Sequence, residues 1–252
     1  MHIAVFPDTD TLSHEAALYI VRVAQESIVT HGRFTVALSG GNTPKKLYSL
    51  LGEEPYRSQI DWNLVEIFWS DERCVSPDSP DSNFWLAQQV LLGKVPIPAK
   101  HIHRMPADME DRDAASLLYT RDMQQTFGTD GVPAFDLIQL GMGPEGHTAS
   151  LFPHQASLHE QQRLVMPVSV PKPPPPRLTF TPRILNAATH VLFLVTGADK
   201  ADAVHAVLAG EYQPDEYPAQ IVQPVKGDVT WMLDQAAASK LSKLQKAKED
   251  AQ

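Results

Sequence analysis

The stretch LIQLGMGPEGHTASLFP, Leu137 to Pro153, spaces three glycines as G-x-G-x-x-G (Gly141, Gly143, Gly146) and follows them with a histidine, His147. Two chemistries fit such a loop. A dinucleotide site needs a strand, the glycine turn, a long helix, and an acid closing the next strand about 20 residues on. Here Pro153 curtails any helix begun near Thr148, and the next strand-like run, 164–170, meets Pro171 and no acid. In the second reading the glycines bring main chain close to a small ligand. His147 then stands at the carboxyl end of a strand, the edge at which open α/β sheets bind ligands. Histidine is suited to moving protons near neutral pH. A histidine that merely caps a short helix is the plainer alternative.

Three further loops carry candidate groups. Ser39, Gly40, Gly41, Asn42 and Thr43 lead from a strand into a helix opened by Pro44. Glycine-rich main chain, two hydroxyls and a helix N-terminus together make a phosphate cradle. A plain turn with Thr43 as N-cap fits the same residues. Asp71, Glu72 and Arg73 follow a strongly apolar strand, where three ionisable groups are hard to explain as packing; a solvated loop is the alternative. Lys200 opens a helix after another apolar strand and either reaches the same edge or lies on the surface. Other chemistries lack their parts. There is no G-x-S-x-G nucleophile elbow and no H-E-x-x-H. His101 and His103 alone make no metal site, so no metal is expected. The single cysteine, Cys74, excludes an intrachain disulfide.

Alternating strands and helices must position these loops. Apolar runs at 3–6, 34–39, 65–70, 135–141, 164–170, 190–197 and 229–233 predict strands. Helical spacing of apolar residues appears at 15–29, 83–92, 113–127 and 198–210, the last ending on Gly210 as a C-cap. The order predicts βαβ units and a largely parallel sheet. KPPPP, Lys172–Pro176, reads as an extended loop. The expected organisation is one α/β domain over 1–238 and a charged tail over 239–252. The 252 residues carry a net charge of −9, which disfavours non-specific nucleic-acid binding. An N-terminus without a basic region, and no apolar run near the ~18 residues of a span, predict a cytoplasmic protein with no membrane partner.

In order along the chain, LSGGNTP, WSDERCV with DSNF, HIHRMP, FDLIQLGMGPEGHTASLFP, PPPPRLTFTPRILNAA and VTGADKADAV resemble the 6-phosphogluconolactonase family over nearly the whole length. The resemblance implies a Rossmann-like three-layer α/β/α sandwich, shared with glucosamine-6-phosphate deaminases and ribose-5-phosphate isomerases. It also implies hydrolysis of 6-phospho-D-glucono-1,5-lactone to 6-phosphogluconate in the oxidative pentose phosphate pathway, without a cofactor. The partner it implies is a small sugar-phosphate lactone; the oligomeric state is left open and is compatible with a monomer. By the same resemblance His147 is the acid–base residue, and Arg73, Arg177 and Lys200 hold the phosphate or the developing oxyanion. Asp71 and the 39–43 loop join them in binding. The family commonly has Asp two residues before the histidine; this chain has Glu145, one methylene longer. Its deaminase cousins continue the histidine with an acid that TASLFP lacks.

Ester hydrolysis needs no Lewis acid in principle, and the sequence supplies no ligand cluster. Protein treated with EDTA is therefore expected to open the phosphorylated lactone faster than buffer alone. Activity that returns only on adding metal would contradict this.

Overall fold

A computed structural model describes residues 1–174 and 176–241. The chain runs β1 (His2–Phe6), α1 (Thr9–His31), β2 (Phe34–Leu38), α2 (Asn42–Leu51), β3 (Val65–Trp69) and β4 (Asp71–Arg73). It continues through α3 (Asn83–Ala87), α4 (Arg112–Phe127), β5 (Leu137–Leu140), β6 (Val165–Val168) and β7 (Arg177–Phe180). It ends with α5 (Pro182–Leu185), β8 (His190–Val195), α6 (Ala201–Ala209) and β9 (Asp228–Asp234). The predicted tail lies outside the described residues from 242 onward. Among the described residues no helix is long and apolar enough to cross a membrane.

Six strands form a parallel sheet in the order β1-β9-β8-β5-β2-β3. Its central strands FTVAL and LIQL are buried at every position, as strands covered on both faces must be. The steps β1 to β2 and β2 to β3 go one way across the sheet, and the later ones go back. Right-handed crossovers then put α1 and α2 on one face and α4 and α6 on the other. The direction reverses between β2 and β5, so the loops leaving these neighbours part to opposite faces and open a crevice. The glycine loops 39–43 and 141–147 are those two loops.

A second, antiparallel sheet, β4-β7-β6, was only partly legible in the sequence. Asp71–Arg73 is a strand, not a solvated loop, and the run 164–170 contributes only β6 at the edge of this small sheet. Pro167 within β6 explains the placement, since a proline has no N–H to donate to a ladder and is tolerated at a sheet edge. Ser70 is the pivot between the sheets: its N–H donates to Leu38 O at 2.8 Å and its carbonyl accepts from Phe180 N at 2.7 Å. The joint is packed by aromatic rings. Phe68 meets Phe135 edge-on at 5.2 Å, and Phe135 lies 5.6 Å from Phe180 of β7.

Local chemistry sets the helix ends. Asp8 caps α1 by accepting from Thr11 N at 2.7 Å, and Gly32 ends it at φ 83°. At α2 the cap is Gly41 at φ 112°, with no side-chain cap, so Thr43 is not the N-cap. Its hydroxyl instead meets Thr196 Oγ1 at 2.8 Å. Gly210 does end α6, but in extended conformation, not left-handed.

A buried polar knot joins the ends of β2 and β5. Gln139 Oε1 accepts from Ser39 Oγ at 2.7 Å and from the Tyr48 hydroxyl at 2.6 Å. The same hydroxyl accepts from Ser39 N at 3.0 Å. Burial pushes the Tyr48 phenol far up, so it remains a donor at any working pH. Tyr48→Phe would leave Ser39 N–H without this partner inside the core, at a cost of about 1–3 kcal/mol. Urea unfolding should show a loss of that size. An unchanged midpoint would mean the knot is not needed.

Candidate active site

A cleft of about 450 Å³ lies at the carboxyl ends of β2, β5 and β8. Register puts those ends on one edge, since Ala37 pairs with Ile138 and Leu140 with Phe193. The small sheet forms the remaining wall. Of the predicted residues, Ser39, Gly40, Gly41, Asn42, Thr43, Asp71, Arg73, His147, Arg177 and Lys200 all line this cleft. Glu145 does not line it and stands behind His147.

His147 is held on three sides. Its ring stacks on Phe152 with centroids 4.1 Å apart and planes 12° from parallel. A Cβ at Gly143 would fall 2.0 Å from His147 Nδ1, so only glycine leaves room for the imidazole. Gly146 turns the chain at φ 80°, a conformation that favours glycine. No helix follows His147, which removes the capping explanation; Thr148 Oγ1 ties back to Gly141 O at 2.9 Å. Nδ1 faces Glu145 Oε2 at 3.2 Å, out of line for a straight hydrogen bond. Nε2 is left to the cleft, with no protein partner among the described residues. Burial pushes the Glu145 carboxyl up. The adjacent His147 imidazole and the Lys172 ammonium, which donates to it, outweigh that and hold it well below the usual carboxylate range.

Arg73 and Arg177 are cross-strand partners in the β4–β7 pair, so their side chains leave the same face. Like charges placed so are destabilising unless something negative sits between them. Asp71 supplies part of it, with Oδ2 4.0 Å from Arg177 Nη1. That carboxylate is itself committed, accepting from Ser150 Oγ at 2.6 Å and Asn83 Nδ2 at 3.2 Å. Burial lowers the Arg177 pKa, with Asp71 opposing and Arg73 adding to the effect. Arg73 Nε and Arg177 Nε are buried without a partner among the described residues. Orphaned guanidinium donors in a cleft wall suit an anionic ligand.

The opposite wall is the 39–43 loop. Ser39 is buried and its hydroxyl donates to Gln139, which holds the loop in place at the cleft. A Cβ at Gly40 would lie 1.8 Å from Asn83 Oδ1. The first amides of α2 have no side-chain cap and open on the cleft. Lys200 Nζ pairs with Asp199 Oδ2 at 2.7 Å beside them.

Two cleft residues were missed in the sequence. Asn83 donates to Asp71 O at 2.8 Å, and only its place within DSNF hinted at a role. Lys172 reaches Glu145 Oε1 at 2.7 Å. Nothing in KPPPP signals that contact, which spans 27 residues. Among the described residues no three His, Cys, Asp or Glu side chains converge to hold a metal ion.

The family described as glucosamine-6-phosphate isomerases/6-phosphogluconolactonase matches residues 7–231. A 6-phosphogluconolactonase of Synechocystis sp. is 41% identical over 91% of this chain and 94% of its own. One from Nostoc sp. is 39% identical over 95% and 98%. The solved 6-phosphogluconolactonase of Trypanosoma cruzi superposes with a TM-score of 0.85 at 30% identity, covering 96% of this chain and 97% of that one. A monomeric glucosamine-6-phosphate deaminase, at 21% identity and a TM-score of 0.81, shares the fold. The chain belongs to the glucosamine-6-phosphate isomerase/6-phosphogluconolactonase family.

Proposed function

We propose that the chain hydrolyses 6-phospho-D-glucono-1,5-lactone to 6-phospho-D-gluconate in the oxidative pentose phosphate pathway, with His147 as general base and then general acid. The observation that carries this reading is the orientation of His147. Nδ1 is turned to an ionised carboxylate and Nε2 is left to a cleft walled by two arginines whose Nε atoms have no partner among the described residues. Relatives named 6-phosphogluconolactonase, about 40% identical over nearly full length, support the substrate class.

The chemistry follows from the placement. Water on Nε2 gives up a proton as its oxygen adds to the lactone carbonyl. The carbonyl electrons become an oxyanion, which needs a cation or aimed N–H groups. As the intermediate collapses, the ring C–O bond breaks and its oxygen takes the proton back from the imidazolium. One water is consumed and no electrons change carbon centres, so no redox cofactor has work to do. Glu145 stays ionised throughout and stabilises the imidazolium between the two steps. The substrate offers two anionic centres, phosphate and developing oxyanion. The site offers two cationic features, the Arg73–Arg177 pair and the α2 N-terminus with Lys200. Every one of these residues comes from one chain, so a monomer suffices. A water-soluble substrate fits a cytoplasmic site of action.

Purified protein should therefore consume the lactone faster than its spontaneous hydrolysis, and His147→Gln should lower turnover roughly 10²–10⁴-fold with little change in product affinity. Faster release of ammonia from glucosamine 6-phosphate would point to the deaminase chemistry of the fold. Near-parental turnover in folded His147→Gln would remove the histidine from the mechanism.

Loss of one charge-assisted contact to an anion is worth about 1.5–3 kcal/mol, or roughly 10–100-fold. Arg73→Ala should weaken 6-phosphogluconate binding by that factor in calorimetry, while unphosphorylated gluconate stays a poor ligand of the parent. Equal affinity of the parent for both acids would leave no case for a phosphate site.

A further inference from the structure

Lys172 has no part in the mechanism above, yet it is tied to it at several points. Its Nζ lies 2.7 Å from Glu145 Oε1 and 3.0 Å from Glu145 Oε2. The second of these oxygens is the one that faces His147 Nδ1. The same Nζ stands 5.9 Å from the centroid of Phe152, the ring on which His147 stacks. Its carbonyl accepts from Arg177 Nη2 at 3.4 Å. Proline follows directly at Pro173 and Pro174, fixing φ and removing two main-chain donors, so the lysine stands on a stiffened segment. Its side chain is 43% exposed. A pair that open contributes little to folding, so stability does not account for the arrangement.

The glutamate explains why a second contact is useful here. Glu145 has one more rotatable bond than the aspartate common in the family. Each freely turning bond weakens its hold on Nδ1. With Oε1 fixed by an ammonium, Oε2 stays against the histidine. The ammonium also offsets the negative charge behind the ring.

We propose that Lys172 is a positioning residue: its ammonium pins the Glu145 carboxylate against His147 and limits how strongly that carboxylate favours the imidazolium. The proposal rests on the lactonase reading for its kinetic consequence but not for its geometry. The charged groups around the ring are Glu145 on its own loop and Lys172 on the proline segment. Arg73 and Arg177 stand on the small sheet with Asp71, and Asp199 and Lys200 on the β8 loop. Among them only Lys172 touches Glu145.

Lys172→Met and Lys172→Arg test this. Removing the positive charge favours the protonated imidazole. A Glu145 carboxylate released from the ammonium is drawn more strongly to that imidazolium, so the charge effect sets the sign of the shift while the looser hold acts on the neutral ring. The acidic limb of kcat/KM should therefore move to higher pH in the Met variant, by about half a pH unit, and return toward the parent in the Arg variant. A second readout needs no turnover. Diethyl pyrocarbonate acylates neutral imidazole, and mass spectrometry locates the adduct. At pH 6 the acylation of His147 should be slowed about 2-fold or more in Lys172→Met and restored in Lys172→Arg. A raised KM with the limb and the acylation rate unmoved would make Lys172 a plain substrate ligand and overturn the proposal. So would parental behaviour in every measurement. If the parent opens no lactone while acylation still responds to the Met substitution, the lactonase reading fails and the Lys172–Glu145–His147 coupling stands.

Discussion

The requirement that a buried amide be satisfied sets the geometry of this molecule. Gln139 is wholly buried in β5, and among the described residues its oxygen finds its donors in Ser39 and Tyr48. Those two residues lie on the exit of β2 and on the helix that follows. Leaving such groups unpaired would be costly in the core, so the ends of β2 and β5 are locked in one relation. That relation is the topological switch point. The loop that presents His147 and the loop that opens α2 are thereby held on opposite sides of one crevice.

The small sheet completes the crevice by the same logic of satisfied polar groups. Ser70 hands the chain from β3 to β4 through one donor and one acceptor, and the pairing of β4 with β7 then sets Arg73 opposite Arg177. Glu72, beside them, points the other way. It is buried and accepts from the amides of Arg73, Asn83 and Phe84 and from the Ser82 hydroxyl, thereby anchoring the start of α3. Alternation along a strand thus gives neighbouring charged residues different tasks. One face builds a cationic wall for a ligand, and the other fastens a helix.

The histidine loop is a compact case of position deciding chemistry. Gly143 yields its Cβ space to the imidazole, Phe152 supplies a flat support, and Glu145 occupies the far nitrogen. What remains free is Nε2, on the cleft side. Glu145 is set behind the histidine and touches no cleft space, so its contribution passes through His147 and through Lys172. A longer carboxylate in that position is tolerable because two partners hold it.

The sequence by itself determined the alternation of strands and helices along the chain, Gly210 as the end of the last of those helices, and the two glycine loops with His147 at a strand end. Each of these follows from local periodicity, from φ preferences, or from one residue's side-chain chemistry. It also made Arg73 and Lys200 visible as charges just beyond apolar strands, while Arg177 stood out only through the family resemblance. Tertiary structure alone decided what those charges face. The antiparallel pairing that sets Arg73 beside Arg177 joins segments about a hundred residues apart. Lys172 meets Glu145 across a proline run that has no periodicity to read. Asn83 and Gly40 fit together because one lacks a Cβ where the other's amide sits. Such contacts are made by register, packing and the pairing of buried polar groups, none of which is encoded within a single window of chain.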